Sequence, residues 1–263
     1  MPFTGFNVKL PEYEVITPQT HLSVHYRSLN VQEEERMKGS LLTPIKVVEH
    51  LNKCLYESIA KKPDTIKSYD DFLNKISLKD RESLLYGLYH ITYEEIRNYD
   101  VFCSPCDKSY PVTIQISDAF NFKKYPGKDI FTKRIKVDLP FTKSVSAIIK
   151  QPSLMDEILS LSTLTNRPGS TVDNITEILI IDSFQQDIPE NTKPTIYNDR
   201  IDILDAYLSL PARDKRRIKE VYKHEFGQYT VELKMRCTCP KCGKTDEVDI
   251  NLVDQFFRMV YTS

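Results

Sequence analysis

Two cysteine pairs, Cys103-Ser-Pro-Cys106 and Cys239-Pro-Lys-Cys242, constrain this chain more than any other feature. A C-x-x-C turn sets two sulfurs one metal-ligand bite apart and leaves backbone N–H groups free to donate to the thiolates. Two such turns complete the tetrahedral four-thiolate shell that structural zinc prefers. Both pairs lie in strand-like sequence. Val101-Phe102 precedes the first and Val112-Thr-Ile114 follows it; Leu233-Lys-Met235 precedes the second and Val248-Asp-Ile250 follows it. Gly243 stands just after the second pair, where a positive φ is often required. Between Cys106 and Cys239 lie 132 residues, against the roughly 15–20 of a compact ribbon. Loop-closure entropy grows only logarithmically with length, so a folded insertion can separate the halves at modest cost. The expectation is one structural Zn2+ held by Cys103, Cys106, Cys239 and Cys242.

The remaining cysteines fit less well. Cys237, two residues before Cys239, points to the same side of a strand and offers a competing chelate; the C-P-x-C-G turn favours Cys239. Cys54 lies beside an apolar helix stripe and reads as a small buried hydrophobe. Neither pair opens a helix within a βαβ pattern, which argues against thioredoxin-type chemistry. A catalytic zinc keeps an open position and usually takes histidine. His21, His25, His50, His90 and His224 form no H-E-x-x-H and adjoin neither pair. Asp70-Asp71 and Glu94-Glu95 are adjacent carboxylates facing different ways on a helix. No nucleophile–base set emerges, so no catalytic and no cofactor-binding residue is expected, and the chain reads as a non-enzyme.

Composition narrows the partners. The 263 residues carry 36 basic and 37 acidic side chains, a near balance that gives no global pull toward nucleic acid or an anionic membrane. With only 7 glycines, nothing matches a phosphate-cradling loop. The N-terminus lacks the basic and apolar regions of a signal peptide. The longest aliphatic run, near Ile178 to Ile181, is far short of the ~20 residues needed to span a bilayer. A soluble protein made in a reducing cytoplasm is expected, where paired cysteines bind metal more often than they form disulfides.

The expected fold class is α+β, mostly helical, with a small antiparallel sheet forming a split four-cysteine zinc ribbon. Four stretches are read, with no internal repeat apart from the cysteine pairs. Residues 1–40 make an N-terminal arm, with a strand in His21–Arg27 and a short polar helix starting at Val31–Arg36. Residues 41–98 are helical: Thr43-Pro44 suits N-cap and N1, and Ile45, Val48, Leu51, Leu55 and Ile59 follow at helical spacing until Lys62-Pro63. Ser77-Leu-Lys-Asp80 resembles a capping box for a second helix. Residues 99–131 and 228–263 form the ribbon module. An α-rich insertion, 132–227, begins with a strand at Arg134–Leu139. Helices follow near 152–163, 171–184, 197–208 and 211–226, the last opened by Pro211 and stopped by Gly227 at C′. The C-terminal Phe256, Phe257, Met259 and Tyr261 read as core over an exposed interface.

Arg213-Asp-Lys-Arg-Arg217, with Lys219, Lys223 and His224, is weighed as a nucleic-acid patch. Interruption by Asp214, Glu220 and Glu225 favours a solvated helix face. A zinc-ribbon nucleic-acid-binding or transcription-associated factor stands as the alternative, and an enzyme with a purely structural zinc as a third class.

Three segments carry a family resemblance: Val24–Glu34 before the helical region, the junction Tyr93…Tyr99-Asp-Val-Phe-Cys103-Ser-Pro-Cys106, and the ending Cys239-Pro-Lys-Cys242-Gly…Asp249–Phe257. The chain resembles the baseplate hub subunits of contractile-tailed, T-even-type phages. The resemblance implies a non-enzymatic protein that helps to build the tail baseplate hub, as a virion component or an assembly factor. It implies other phage tail and hub proteins as partners, and residence in the tail baseplate or in the host cytoplasm during assembly.

Overall fold

The computed structural model describes residues 11–33, 43–93, 96–115, 120–165, 167–187 and 193–249. The chain opens with the hairpin β1 (Glu12–Ile16) and β2 (Ser23–Arg27), and a helical turn at 31–33 follows. Helix α1 (Pro44–Glu57) has Thr43 as N-cap and proline in its first turn, as its sequence predicts. It stops earlier than the apolar stripe suggests. Ser58 donates both its N–H and its hydroxyl to the Cys54 carbonyl, and Ile59 enters β3 (Ile59–Lys61), which pairs with β2. Helices α2 (Tyr69–Lys75) and α3 (Leu78–Thr92) complete this part. Ser68 and Asp71 form a reciprocal capping box on α2.

One hydrophobic core lies between this sheet and its helices. Val15, Val24 and Tyr26 meet Leu55, Phe72, Leu84 and Leu88, all buried. Gly87 of α3 makes the approach possible, because a Cβ there would land on the Val15 side chain.

The hairpin β4 (Ile96–Cys103) and β5 (Lys108–Gln115) follows as a separate two-stranded sheet. Strand β6 (Phe120–Phe122) leaves it to pair with β11 (Val231–Thr238), which also pairs with β12 (Thr245–Asp249). Between them comes a second core, built on a four-stranded antiparallel sheet in the order β10-β9-β8-β7. Its strands are β7 (Ile135–Asp138), β8 (Val145–Ile149), β9 (Ile181–Gln186) and β10 (Thr195–Tyr197). Helices α4 (Leu154–Leu164), α5 (Val172–Ile178), α6 (Arg200–Ser209) and α7 (Ala212–Tyr222) cover it, with Leu164, Ile178, Phe184 and Leu204 at the centre.

These sheets correct the expected fold class. The molecule is α+β, but the described residues hold four small antiparallel sheets rather than one small sheet on a mostly helical body. The cysteine turns belong to two different sheets, so the single split zinc ribbon is not the architecture. The stretch read as α-rich conceals β8, β9 and β10. The apolar run Ile178-Leu-Ile-Ile181 fits a buried helix or a buried strand by periodicity alone; the helix expected over 171–184 ends at Ile178, and Ile181 begins β9. Gly227 ends a π-helical turn, Lys223–Gly227, without the positive φ expected of a C′ glycine. Ser77 does cap α3 by accepting from the Asp80 N–H at 3.0 Å. The C-terminal aromatics, residues 34–36 of the short polar helix and Glu94-Glu95 lie outside the described residues.

Candidate metal centre

Each cysteine pair is carried on the tip of an antiparallel hairpin. Cys103 ends β4 and faces Lys108 across the ladder, while Cys239 follows Thr238, which faces Thr245. The turns are closed by Cys106 N–H to the Cys103 carbonyl at 3.2 Å and by Gly243 N–H to the Cys239 carbonyl at 2.9 Å. In both, the residue after the second cysteine is left-handed: Asp107 at φ 49° and Gly243 at φ 72°. Gly243 is legible in the sequence. Asp107 is missed there because aspartate tolerates this region only by local hydrogen bonding and so gives a weaker signal.

The hairpins meet tip to tip. Cys103, Cys106, Cys239 and Cys242 place all four Sγ atoms within 4.8 Å of one another and can hold a metal ion. Cys103 Sγ lies 3.6 Å from Cys242 Sγ, and Cys239 Sγ lies 3.9 Å from Cys106 Sγ. A tetrahedron with Zn–S bonds of ~2.3 Å has sulfurs about 3.8 Å apart, so these spacings suit a single tetrahedral ion. Cys237 is buried in β11 and is not part of this group. Cys54 is far along the fold, with its sulfur 3.6 Å from His50 Nε2 on the same helix.

Burial and charge fit an ion as well. Cys103 and Cys239 are buried, Cys106 is half-buried and Cys242 is exposed. The N–H groups of Cys242 and Lys241 point at the Cys239 sulfur and bring its thiol down to about 7, the first of them contributing most. Cys106 moves the other way, to about 12, through its contact with Cys242 and through burial. Burial likewise raises Cys103. Four thiols packed this closely cannot all ionise side by side; a divalent cation removes the conflict, since a coordinated thiol is deprotonated outright. Lys244, paired with Asp246 at 2.9 Å, adds positive charge near Cys103 and Cys242.

Other candidates from the sequence lie elsewhere. His224 is exposed and contacts Glu225 at 3.0 Å, and His90 stacks on Tyr86. The basic helix α7 has several cations already engaged: Arg213 over the Phe141 ring, Lys215 over the Tyr207 ring and Lys219 with Glu177. Asp214, which in sequence merely interrupts that run, is fully buried and accepts the N–H groups of Phe141 and Thr142 at 3.0 and 3.1 Å. Among the described residues no helix is long and apolar enough to cross a membrane.

A family model described as T4 bacteriophage base plate protein matches residues 10–258. No curated protein and no solved structure matches the chain.

Proposed function

We propose a structural role in the phage tail for this chain, which belongs to the T4 bacteriophage base plate protein family. In the finer reading it is a non-enzymatic hub subunit or hub assembly protein. One structural Zn2+ on Cys103, Cys106, Cys239 and Cys242 fastens it. The observation that carries this is the donor set: four thiols gather from two hairpins, with no histidine or carboxylate in the group. A full thiolate shell leaves no position for water or substrate and suits zinc, which has no redox chemistry of its own. Such an ion contributes folding energy rather than reactivity. The partners in this reading are other tail and hub proteins, and the protein acts in the tail baseplate or in the host cytoplasm during assembly.

Metal analysis of the purified protein tests the ion. One zinc per chain is expected, lost in Cys103→Ser and in Cys242→Ser; full retention in both variants refutes the four-ligand assignment. Co-purification with the neighbouring tail proteins tests the role. Gel shifts at two salt concentrations test the nucleic-acid alternative, where steeply salt-sensitive binding would displace the assembly reading.

A further inference from the structure

We infer that the chain is one structural unit built twice, residues 12–115 and 135–249, and that the four-cysteine centre is the junction to which each unit brings one bidentate half. The metal part of this inference rests on the zinc reading above; the repeat does not.

The order of elements carries it first. Among the described residues, and apart from the helical turn at 31–33 and the additions named below, each unit runs hairpin, helix, third strand, two helices joined by a two-residue link, then a hairpin tipped with C-x-x-C. The first unit has sheet order β1-β2-β3 and the second β7-β8-β9, with β10 added at the edge. The third strand returns antiparallel to the middle strand in both, with a register shift in the ladder. The second unit inserts α5 and lengthens α6, which separates the repeats in sequence and hides them. The ladder of β7 and β8 is also shifted by one residue relative to that of β1 and β2.

A pair of buried locks carries it further. Six residues join β1 to β2 and six join β7 to β8, each loop containing Pro-x-Thr, with Pro18 and Pro140 at the same place. Asp80 accepts the N–H of Gln19 at 2.8 Å, the N–H of Thr20 at 3.0 Å and the Thr20 hydroxyl at 2.6 Å. Asp214 accepts the N–H of Phe141 at 3.0 Å, the N–H of Thr142 at 3.1 Å and the Thr142 hydroxyl at 2.8 Å. Both aspartates are fully buried and both sit third in the second helix of the joined pair. Three matched hydrogen bonds from one helix position to one loop position are hard to obtain by independent routes.

The cysteine turns complete the pattern. In each, the first cysteine is buried, the second is more exposed, a left-handed residue follows, and a lysine comes next. The 132-residue gap is therefore filled mostly by the second unit rather than by an insertion into a ribbon. A C-x-x-C half-site supplies two of the four ligands that a tetrahedral ion requires, so neither unit closes the shell alone. The ion ties the tips of the two units together.

Hydrogen exchange with native mass spectrometry on the whole protein tests both parts. Cys103→Ser/Cys106→Ser and Cys239→Ser/Cys242→Ser are each expected to lose the metal completely. Each should also speed exchange at least about tenfold in the opposite, unaltered hairpin, while the loops at 17–22 and 139–144 change less than about threefold. Chelation of the wild-type protein should give the same pattern without substitution. Metal retained by either double variant, or an unaltered hairpin that keeps its protection, overturns the junction. If the wild-type protein carries no metal, the zinc reading fails, and the repeat is judged by the locks. Asp80→Asn should open 17–22 and Asp214→Asn should open 139–144, each at least about tenfold and each sparing the other loop. Protection surviving in either loop overturns the repeat.

Discussion

Asp80 and Asp214 grip their loops with the same three hydrogen bonds but stand in different surroundings. Beside Asp80, the loop residue is Gln19. It accepts from the Ser77 hydroxyl at 2.6 Å and donates to the Phe226 carbonyl of the second core at 3.0 Å. Beside Asp214, the matching residue is Phe141, which is 55% exposed under the Arg213 guanidinium. One loop is thus sealed where the two cores meet, and the other faces solvent. The lock belongs to the local fold, while the residue between proline and threonine answers to whatever lies across from it. Around the first loop the cores are further joined by Leu154 N–H to the Ile76 carbonyl at 3.1 Å and by Arg81 to Glu157, two bonds at 2.5 and 3.1 Å.

The comparison breaks most visibly at the shared centre. Cys239→Ser should abolish zinc binding and lower Tm by more than about 10 °C, since metal-binding energy is folding energy. Cys237→Ser, two residues away and outside the cluster, should keep one zinc per chain. A Tm loss below about 2 °C in Cys239→Ser would show the ion to be dispensable.

Next in size is the close approach of Gly87 to β1 in the first core. Gly87→Ala forces a Cβ onto Val15 and should cost about 1–3 kcal/mol by overpacking. Gly169→Ala meets open space but sits at φ 82°, so its smaller cost is backbone strain of about 1 kcal/mol. Urea unfolding of both variants ranks them, and equal costs would mean the α3–β1 contact yields easily.

Asp80→Asn and Asp214→Asn should each cost about 1–3 kcal/mol, because an amide nitrogen cannot accept the bonds from threonine. Asp80 also carries a pH signature. Burial pushes the Asp80 carboxyl up to about 6, against the hydrogen bonds that favour its charge. A folded value above the unfolded ~3.9 favours the fold at low pH. That contribution is fully present below about pH 4 and lost as pH rises through about 6. The stability gap between wild type and Asp80→Asn should therefore be widest below about pH 4 and narrow by about pH 7.5. The difference must be used because other carboxylates oppose it. Asp156 is raised by burial but lowered more by the Ser153 N–H, Lys150 and Arg200, and its contribution is lost as pH falls. A gap that widens with pH would reverse the assignment.

The smallest effect is at the rim of the second core, where Arg167 pairs with Asp205 in the open. Arg167→Ala should change stability by less than about 0.5 kcal/mol.

Much of the site was legible before the fold. Spacing alone picked out Cys103, Cys106, Cys239 and Cys242, and C-P-K-C-G set Cys239 above Cys237, because a chelating turn is a local object that a few residues specify. Helices with caps and periodicity were equally readable: α1, α4 and α6 begin within three residues of where their sequences place them. Strands β1, β3, β8, β9 and β10 were not, since a short apolar or polar run becomes a strand only when a partner accepts its hydrogen bonds. In sequence, Asp80 is part of an ordinary cap and Asp214 a break in a basic run. Their role depends on loops 60 and 72 residues away.

The sequence by itself determined the donor set of this protein, four thiols in two C-x-x-C turns, along with a balanced charge and a set of capped helices. Tertiary structure alone decided that the turns meet, that four small sheets replace one, and that two distant aspartates hold matching loops. Donor type and local spacing are written in consecutive residues. Which distant groups come together depends on hydrogen-bond partners and packing faces that only the folded chain supplies.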